Sequence, residues 1–261
     1  MYKLLFLLAL WTVASRDIST ETDKPVVPET PDTTDVGRAA HLVVRLGRIT
    51  VDNMRLDDTL SLILEAPGDE IAAFALKFGC DSRYVNIVDV LPGEIPDSCD
   101  WEYFQALPVT TADDVRRPRN LWTAMALAKM SPDATRPPCL GLGRPASLLR
   151  LVLSNENVPQ VPDQNVPIFF YWEDCRDNVL SDMTGQTLNV SNNVIDYYDV
   201  ELPENEDLFP TWKGTPQPCI DPARENHPRR RVDFYNGGVE FRLQLEPPAG
   251  DSAAAPVGDS I

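Results

Sequence analysis

The sequence predicts an all-β chain, and three features carry the prediction. Pro occurs 24 times and Gly 13 times in 261 residues, which interrupts the chain too often for a helical bundle, coiled coil or helical solenoid. Apolar residues recur at period two over many short runs, the pattern of half-buried strands. Those runs are bounded by turn clusters such as Pro67-Gly68-Asp69, Pro92-Gly93 and Asn236-Gly237-Gly238, where Gly and Asn accept backbone conformations that other residues resist. With 43% hydrophobic residues, the chain can bury a core.

The strands follow in order. Leu42 to Val51 alternates first, and Thr59 to Glu65 next, with Leu60, Leu62 and Leu64 on one face. Ile71 to Cys80 follows the Pro67-Gly68-Asp69 turn, and Tyr84 to Leu91 ends at Pro92-Gly93. Leu121 to Met130 is rich in Ala, Leu and Met, yet Pro118 and Pro132 limit any helix there to about three turns, and it is read as a strand. Ser147 to Leu153 places Leu149, Leu151 and Leu153 on one face. Pro167 to Trp172 is apolar on both faces, so it is either a central strand covered twice or a strand that binds something. Thr187 to Val190 and Val194 to Tyr198 are shorter. Arg231 to Tyr235 and Val239 to Leu245 flank Asn236-Gly237-Gly238 and are expected to form a hairpin.

The N-terminus and the cysteines set the compartment. Residues 1–15 carry Lys3, the apolar run Leu4 to Trp11 and the small-residue site Val13-Ala14-Ser15, the layout of a secretory leader cleaved near Arg16. That run is far shorter than the roughly 20 residues a spanning helix needs, so no transmembrane anchor is expected. Residues 16–36, rich in Thr, Pro and acid, read as a disordered linker, and residues 247–261 as a Pro/Ala tail, leaving one domain over 37–246.

Export to an extracellular or periplasmic space permits disulfides among Cys80, Cys99, Cys139, Cys175 and Cys219. Five is odd, so at least one thiol has no partner within the chain. Cys80 shares a strand face with Phe74, Leu76 and Phe78 and is read as a buried free thiol. The other four allow three connectivities, of which the smaller loops favour Cys99 with Cys139 and Cys175 with Cys219. No C-x-x-C is present and only two His occur, which speaks against a structural zinc site.

Charge narrows the partners. Forty acidic against 23 basic residues give a net charge of -17, which repels phosphate backbones, so nucleic acid is not an expected partner. Asp174, Asp177, Asn178 and Asp182 group oxygen ligands just after a strand, and Asp174, Asp177 and Asp182 are the candidate holders of a structural Ca²⁺. Glu173 and Asp174 are adjacent on the chain rather than opposed across a cleft, so they do not form a glycosidase pair. Neither His41 nor His227 lies in a nucleophile motif, and catalysis is not expected. Arg229-Arg230-Arg231 reads as a solvated strand edge. Trp101, Tyr103, Trp122, Tyr171, Trp172 and Trp212 are candidate sugar-stacking platforms, with Phe169, Tyr171 and Trp172 the expected recognition patch. Asn189-Val190-Ser191 fits a glycosylation sequon.

Two consecutive blocks carry a family resemblance. Glu70-Ile71-Ala72-Ala73-Phe74-Ala75-Leu76-Lys77-Phe78 is followed by Asp81-Ser82-Arg83-Tyr84-Val85-Asn86-Ile87-Val88-Asp89-Val90-Leu91-Pro92-Gly93-Glu94. This resembles the cohesin domain: an alternating strand, a turn opened by Asp and a small residue, and a second strand ending in Pro-Gly-acidic. Cys99-Asp100-Trp101-Glu102-Tyr103-Phe104, Phe170-Tyr171-Trp172-Glu173-Asp174-Cys175 and Asp233-Phe234-Tyr235-Asn236-Gly237-Gly238 are similar to blocks of secreted bacterial cohesin-like proteins. The resemblance spans about residues 40 to 245 and implies a jelly-roll β-sandwich of about nine strands, with room for one short helix. It also implies a sheet face that docks a dockerin-like or cell-surface protein, and no catalysis. The expected function is a secreted binding module for a protein or the cell envelope; the alternative is a carbohydrate-binding module of the same architecture, with a polysaccharide as partner.

Overall fold

The computed structural model describes residues 42–52, 55–65, 71–109, 120–129, 139, 142–155, 164–185, 187–206, 209–220 and 227–242. The expected leader, linker and tail lie outside the described residues. Among the described residues thirteen strands form: β1 (Leu42–Leu46), β2 (Arg48–Asp52), β3 (Asp57–Glu65), β4 (Ala73–Cys80), β5 (Asn86–Pro92), β6 (Tyr103–Val109), β7 (Asn120–Leu127), β8 (Ala146–Ser154), β9 (Gln164–Phe170), β10 (Val179–Ser181), β11 (Thr187–Ile195), β12 (His227–Tyr235) and β13 (Gly237–Arg242). Among the same residues a short helix, α1 (Glu94–Ser98), follows Gly93, and a 3-10 turn spans Gln217–Ile220. No helix among the described residues is long and apolar enough to cross a membrane.

The strands divide into two packed halves. One runs β5-β8-β3-β1-β12-β11 and the other β6-β7-β4-β9-β13-β2, with β10 paired to both β4 and β11. Alternation then fills the space between them, since residues i and i+2 of a strand share a face. Leu42, Val44, Leu60, Leu62, Leu64, Leu149, Leu151, Leu153 and Phe234 face inward from the first half. Phe74, Leu76, Phe78, Trp122, Ala124, Ala126, Val166, Ile168, Phe170 and Phe241 meet them from the second. The result is an all-β sandwich, as expected, with more strands than the nine anticipated.

Part of the excess comes from a strand that changes halves. The expected strand Leu42 to Val51 breaks at Gly47, whose N–H donates to Ser61 O at 2.9 Å while its own oxygen accepts from Gly238 N at 3.1 Å. β1 therefore pairs with β3 and β12, and β2 with β13. The same crossing overturns the expected hairpin at Asn236-Gly237-Gly238. β12 pairs with β1 and β11, whereas β13 pairs with β9 and β2, and the two do not pair with each other. Asn236 joins the halves instead: its N–H donates to Ile195 O at 2.9 Å, and its Oδ1 accepts from Phe170 N at 3.0 Å. A Cβ at Gly237 would overlap Gly47 O, so glycine is required for close backbone approach rather than for a tight turn.

Leu121 to Met130 is strand over Asn120–Leu127, hydrogen-bonded on both sides, to β4 and to β6. Propensity for helix yields there to a core face of Trp122, Ala124 and Ala126. The expected short strands Thr187 to Val190 and Val194 to Tyr198 merge into β11, with register shifts on either side of Ser191. Asn189 of the sequon is 4% exposed on that strand, so its amide is not an accessible acceptor.

Candidate functional site

The outward face of β6, β7 and β4 is assembled by register. Tyr103, Gln105 and Leu107 of β6 stand beside Leu127, Met125 and Thr123 of β7. These stand beside Ala73, Ala75 and Lys77 of β4. On β4, Ala73 and Ala75 are followed across the next pairing by Ser181 and Val179 of β10. Paired residues share a face, so exposed Leu107, Met125 and Leu127 lie with half-buried Ala73 and Ala75 on one apolar field on the side away from the core, bordered by buried Val179. Leu107 is 50%, Met125 38% and Leu127 43% exposed. Contiguous exposed apolar surface of this kind, unlike scattered single residues, marks interaction sites. Acidic groups border it: Asp100 and Glu102 precede β6 and are exposed, and Lys129 pairs with Asp100 at 3.5 Å.

Beyond Ala75 the same face of β4 is covered. β9 pairs with β4 only at Phe78 to Cys80, and the chain then leaves through a turn before returning as β10 beside Ala73 to Ala75. The gap at Lys77 is closed by Asn178, which is fully buried at φ 54. Its Oδ1 accepts from Lys77 N at 2.8 Å, and its Nδ2 donates to Tyr171 O at 2.8 Å. One side chain thus satisfies two backbone groups that strand pairing would otherwise have served.

Lys77 itself points into this turn. Its Nζ donates to Asp177 at 2.9 Å and to Glu173 at 3.0 Å, and its side chain is only 10% exposed. Burial alone would lower the ammonium's pKa, but the Asp177 and Glu173 carboxylates outweigh it and hold the group above the ordinary lysine value. Asp177 also accepts from the backbone N–H of Glu173 at 2.6 Å and of Asp174 at 2.9 Å. A charged lysine on a strand is therefore the peg on which the turn is hung.

This arrangement corrects the expected sites. The three carboxylates assigned to calcium do not converge on one point but are engaged separately. Asp177 is bonded to Lys77. Asp174 accepts from the backbone and guanidinium of Arg176, which outweigh its partial burial and hold its pKa below the usual range. Asp182 accepts from Thr184 and Gly185, with the same direction of shift against its burial. Among the described residues, no group of three or more His, Cys, Asp or Glu is arranged to hold a metal.

The aromatic patch is also corrected. Tyr171 is 1% exposed and Trp172 fully buried. Trp172 packs edge-on against Phe234 at 5.6 Å and beside Phe170 at 6.5 Å, and Phe169 is half-buried. Neither Tyr171 nor Trp172 can offer a ring to a sugar. Trp101 and Trp122 are 9% exposed, with their indole N–H groups bonded to Cys139 O and Ile87 O. Trp212 is 51% exposed.

Two disulfides hold this side of the molecule. Cys99 is bonded to Cys139 and Cys175 to Cys219, with Cα atoms 5.1 and 5.3 Å apart. The second ties the turn over Lys77 to the 3-10 segment Gln217–Ile220. Cys80 is free and buried, its Sγ 3.2 Å from Val85 O, and loss of solvation pushes its pKa up to about 12. A thiol so held is inert rather than nucleophilic.

The residues that sequence reasoning missed are those of the apolar field. Pro108 and mixed alternation hide the strand Tyr103–Val109 in the sequence, and without β6 the register that unites Leu107, Met125 and Leu127 has no sequence signal. Arg230, expected at a solvated edge, is instead partly buried on β12, 3.5 Å from Glu204.

No family profile matches the chain, and no curated protein matches it. Solved structures to which it is similar are cohesin modules. A non-cellulosomal cohesin from the archaeon Archaeoglobus fulgidus is 11% identical, with 79% of this chain and 95% of that one covered and a TM-score of 0.41. A type III cohesin from the ScaE scaffoldin of Ruminococcus flavefaciens is 12% identical over 78% and 88%, with a TM-score of 0.43. The cohesin–dockerin complex of Clostridium thermocellum gives 12% over 77% and 98%, with a TM-score of 0.41. The sandwich assignment itself rests on the strand order, register and core described above.

Proposed function

We propose that the protein is a secreted, non-catalytic binding module that holds another protein on the outer face of β4, β6 and β7. The observation that carries the reading is the exposure of Leu107, Met125 and Leu127 on a single face, in register with Ala73 and Ala75. The net charge of -17 selects the occupant: a partner with apolar anchors ringed by Lys or Arg, since complementary potentials steer association and like charges suppress it. A second copy of this chain would bring another -17 and is disfavoured. The leader-like residues 1–15 and the two disulfides support export.

The test is a comparison of wild type with Met125→Glu/Leu127→Glu. Proteins captured from the source organism's secretome, and a purified dockerin as first probe, are identified and their affinities measured with purified components. The expected result is a partner whose affinity falls by about a hundredfold or more in the variant and weakens with added salt, while the melting temperature is unchanged. A partner bound equally by both proteins would overturn the reading.

A further inference from the structure

A second site lies away from the apolar face. Residues of β11, the segment 201–205, the segment 213–215 and Arg230 of β12 enclose a cleft of about 280 Å³, near the lower size of small-molecule pockets. Its walls carry Asn192, Asn193, Glu201, Glu204, Lys213 and Arg230. In a chain with 40 acidic and 23 basic residues, these walls are balanced, two carboxylates against two cations.

The pairing within the cleft decides what fits it. Arg230 Nη2 is buried and makes no hydrogen bond among the described residues; the nearest acid, Glu204 Oε1, is 3.5 Å away and accepts from Gln217 Nε2 at 2.8 Å. The ion pair at 3.5 Å leaves the buried Nη2 short of a good hydrogen bond, which a ligand oxygen would supply. Glu201 accepts from the Asn193 amide at 2.9 Å, with the amide nitrogen turned toward it, leaving its second oxygen as an acceptor. The cleft walls thus carry both donors and acceptors. A free anion would meet Glu204 beside the guanidinium, and a cation would meet Arg230 and Lys213. A zwitterion needs separated poles, which the Arg230–Glu204 contact removes.

Vicinal hydroxyls, each able to donate and accept, satisfy both kinds of group. We infer that this cleft binds a neutral, hydroxyl-rich ligand, a single sugar residue of a larger glycan. Trp212 does not line the cleft but directly precedes the cleft-lining Lys213 and is 51% exposed, so a glycan that extends beyond the cleft could stack a ring on it.

The site is independent of the β4–β6–β7 face, so its test separates the two. The probes are a glycan array followed by calorimetric titration with soluble cello-, xylo-, manno- and chito-oligosaccharides, with free alanine and glycine as the zwitterionic arm. Binding of at least one glycan is expected. It should weaken about tenfold or more in Arg230→Gln and in Glu201→Gln, as for loss of a hydrogen bond to a charged group, and should weaken in the surface variant Trp212→Ala, which leaves the cleft walls intact. Met125→Glu/Leu127→Glu should bind as wild type does. The inference is overturned by absence of glycan binding, by binding unchanged in the folded cleft variants, by loss of binding in the sheet-face variant, or by binding of the amino acids instead.

Discussion

The outward residues of β4 divide at Ala75 into two regions with opposite fates. Ala73 and Ala75 sit half-buried beside exposed Leu127 and Met125. Two residues further on, Lys77 is sealed under the Glu173–Asn178 turn with its ammonium bonded to two carboxylates. The apolar half is only partly covered within the described chain, whereas the charged half is sealed by its own chain. Covering an ion requires that every charge and backbone group be paired, and Asp177, Glu173 and Asn178 do this. Leaving leucine and methionine exposed costs little locally.

The largest effect separating the two halves is expected from Asp177→Ala. The substitution leaves the buried Lys77 with Glu173 alone and takes the acceptor from the Glu173 and Asp174 N–H groups, so the variant should lose about 3 kcal/mol or more of unfolding free energy in urea titration. Leu127→Ala, on the open half, should change it by no more than about 0.5 kcal/mol. Equal losses would erase the distinction drawn here.

Alkaline pH sharpens the comparison further, because Cys80 and Lys77 lie on the same strand and both have raised pKa values. For a group whose folded pKa lies above its unfolded value, stability is intact below the unfolded pKa and is lost as pH rises through the folded one. For Cys80 the window runs from about 8.5 to about 12; for Lys77 it begins near 10.4. Wild-type stability should therefore fall above about pH 8.5, with roughly 2 to 3 kcal/mol lost through Cys80 by pH 10.5. Cys80→Ala, though less stable at neutral pH, should show a flatter alkaline limb in urea midpoints measured against pH. An identical slope in both proteins would mean that the thiol is not held neutral by burial.

The smallest effect concerns calcium. Asp177 is already neutralised by Lys77, and Asp174 and Asp182 cap turns of their own. The melting temperature is therefore expected to be the same in EDTA and in millimolar calcium at matched ionic strength. A rise in calcium would show that the turn rearranges to bind the ion only in the native state.

Legibility in the sequence followed the range of the forces involved. Alternation in Thr59 to Glu65 and Ser147 to Leu153 placed β3 and β8 correctly, because which side chains share a face is a local property of an extended backbone. The inward aim of Cys80 was readable for the same reason. The Asn236-Gly237-Gly238 signal misled, since glycine serves a tight turn and a close crossing equally well and only the position of Gly47 distinguishes them. Tyr171 and Trp172 misled differently: an aromatic run looks the same whether water or a folded-back turn covers it.

Composition and spacing alone determined the all-β class, the inward faces of the long strands and the acidic charge that a partner must match. Tertiary structure alone decided where strands change halves, that Asp177 bonds Lys77, and that Leu107, Met125 and Leu127 meet on one open face. The reason is physical. Periodicity is set by the covalent geometry of neighbouring residues, whereas burial of an outward face depends on which segment, a hundred residues away, comes to lie across it, as Asn178 does across Lys77.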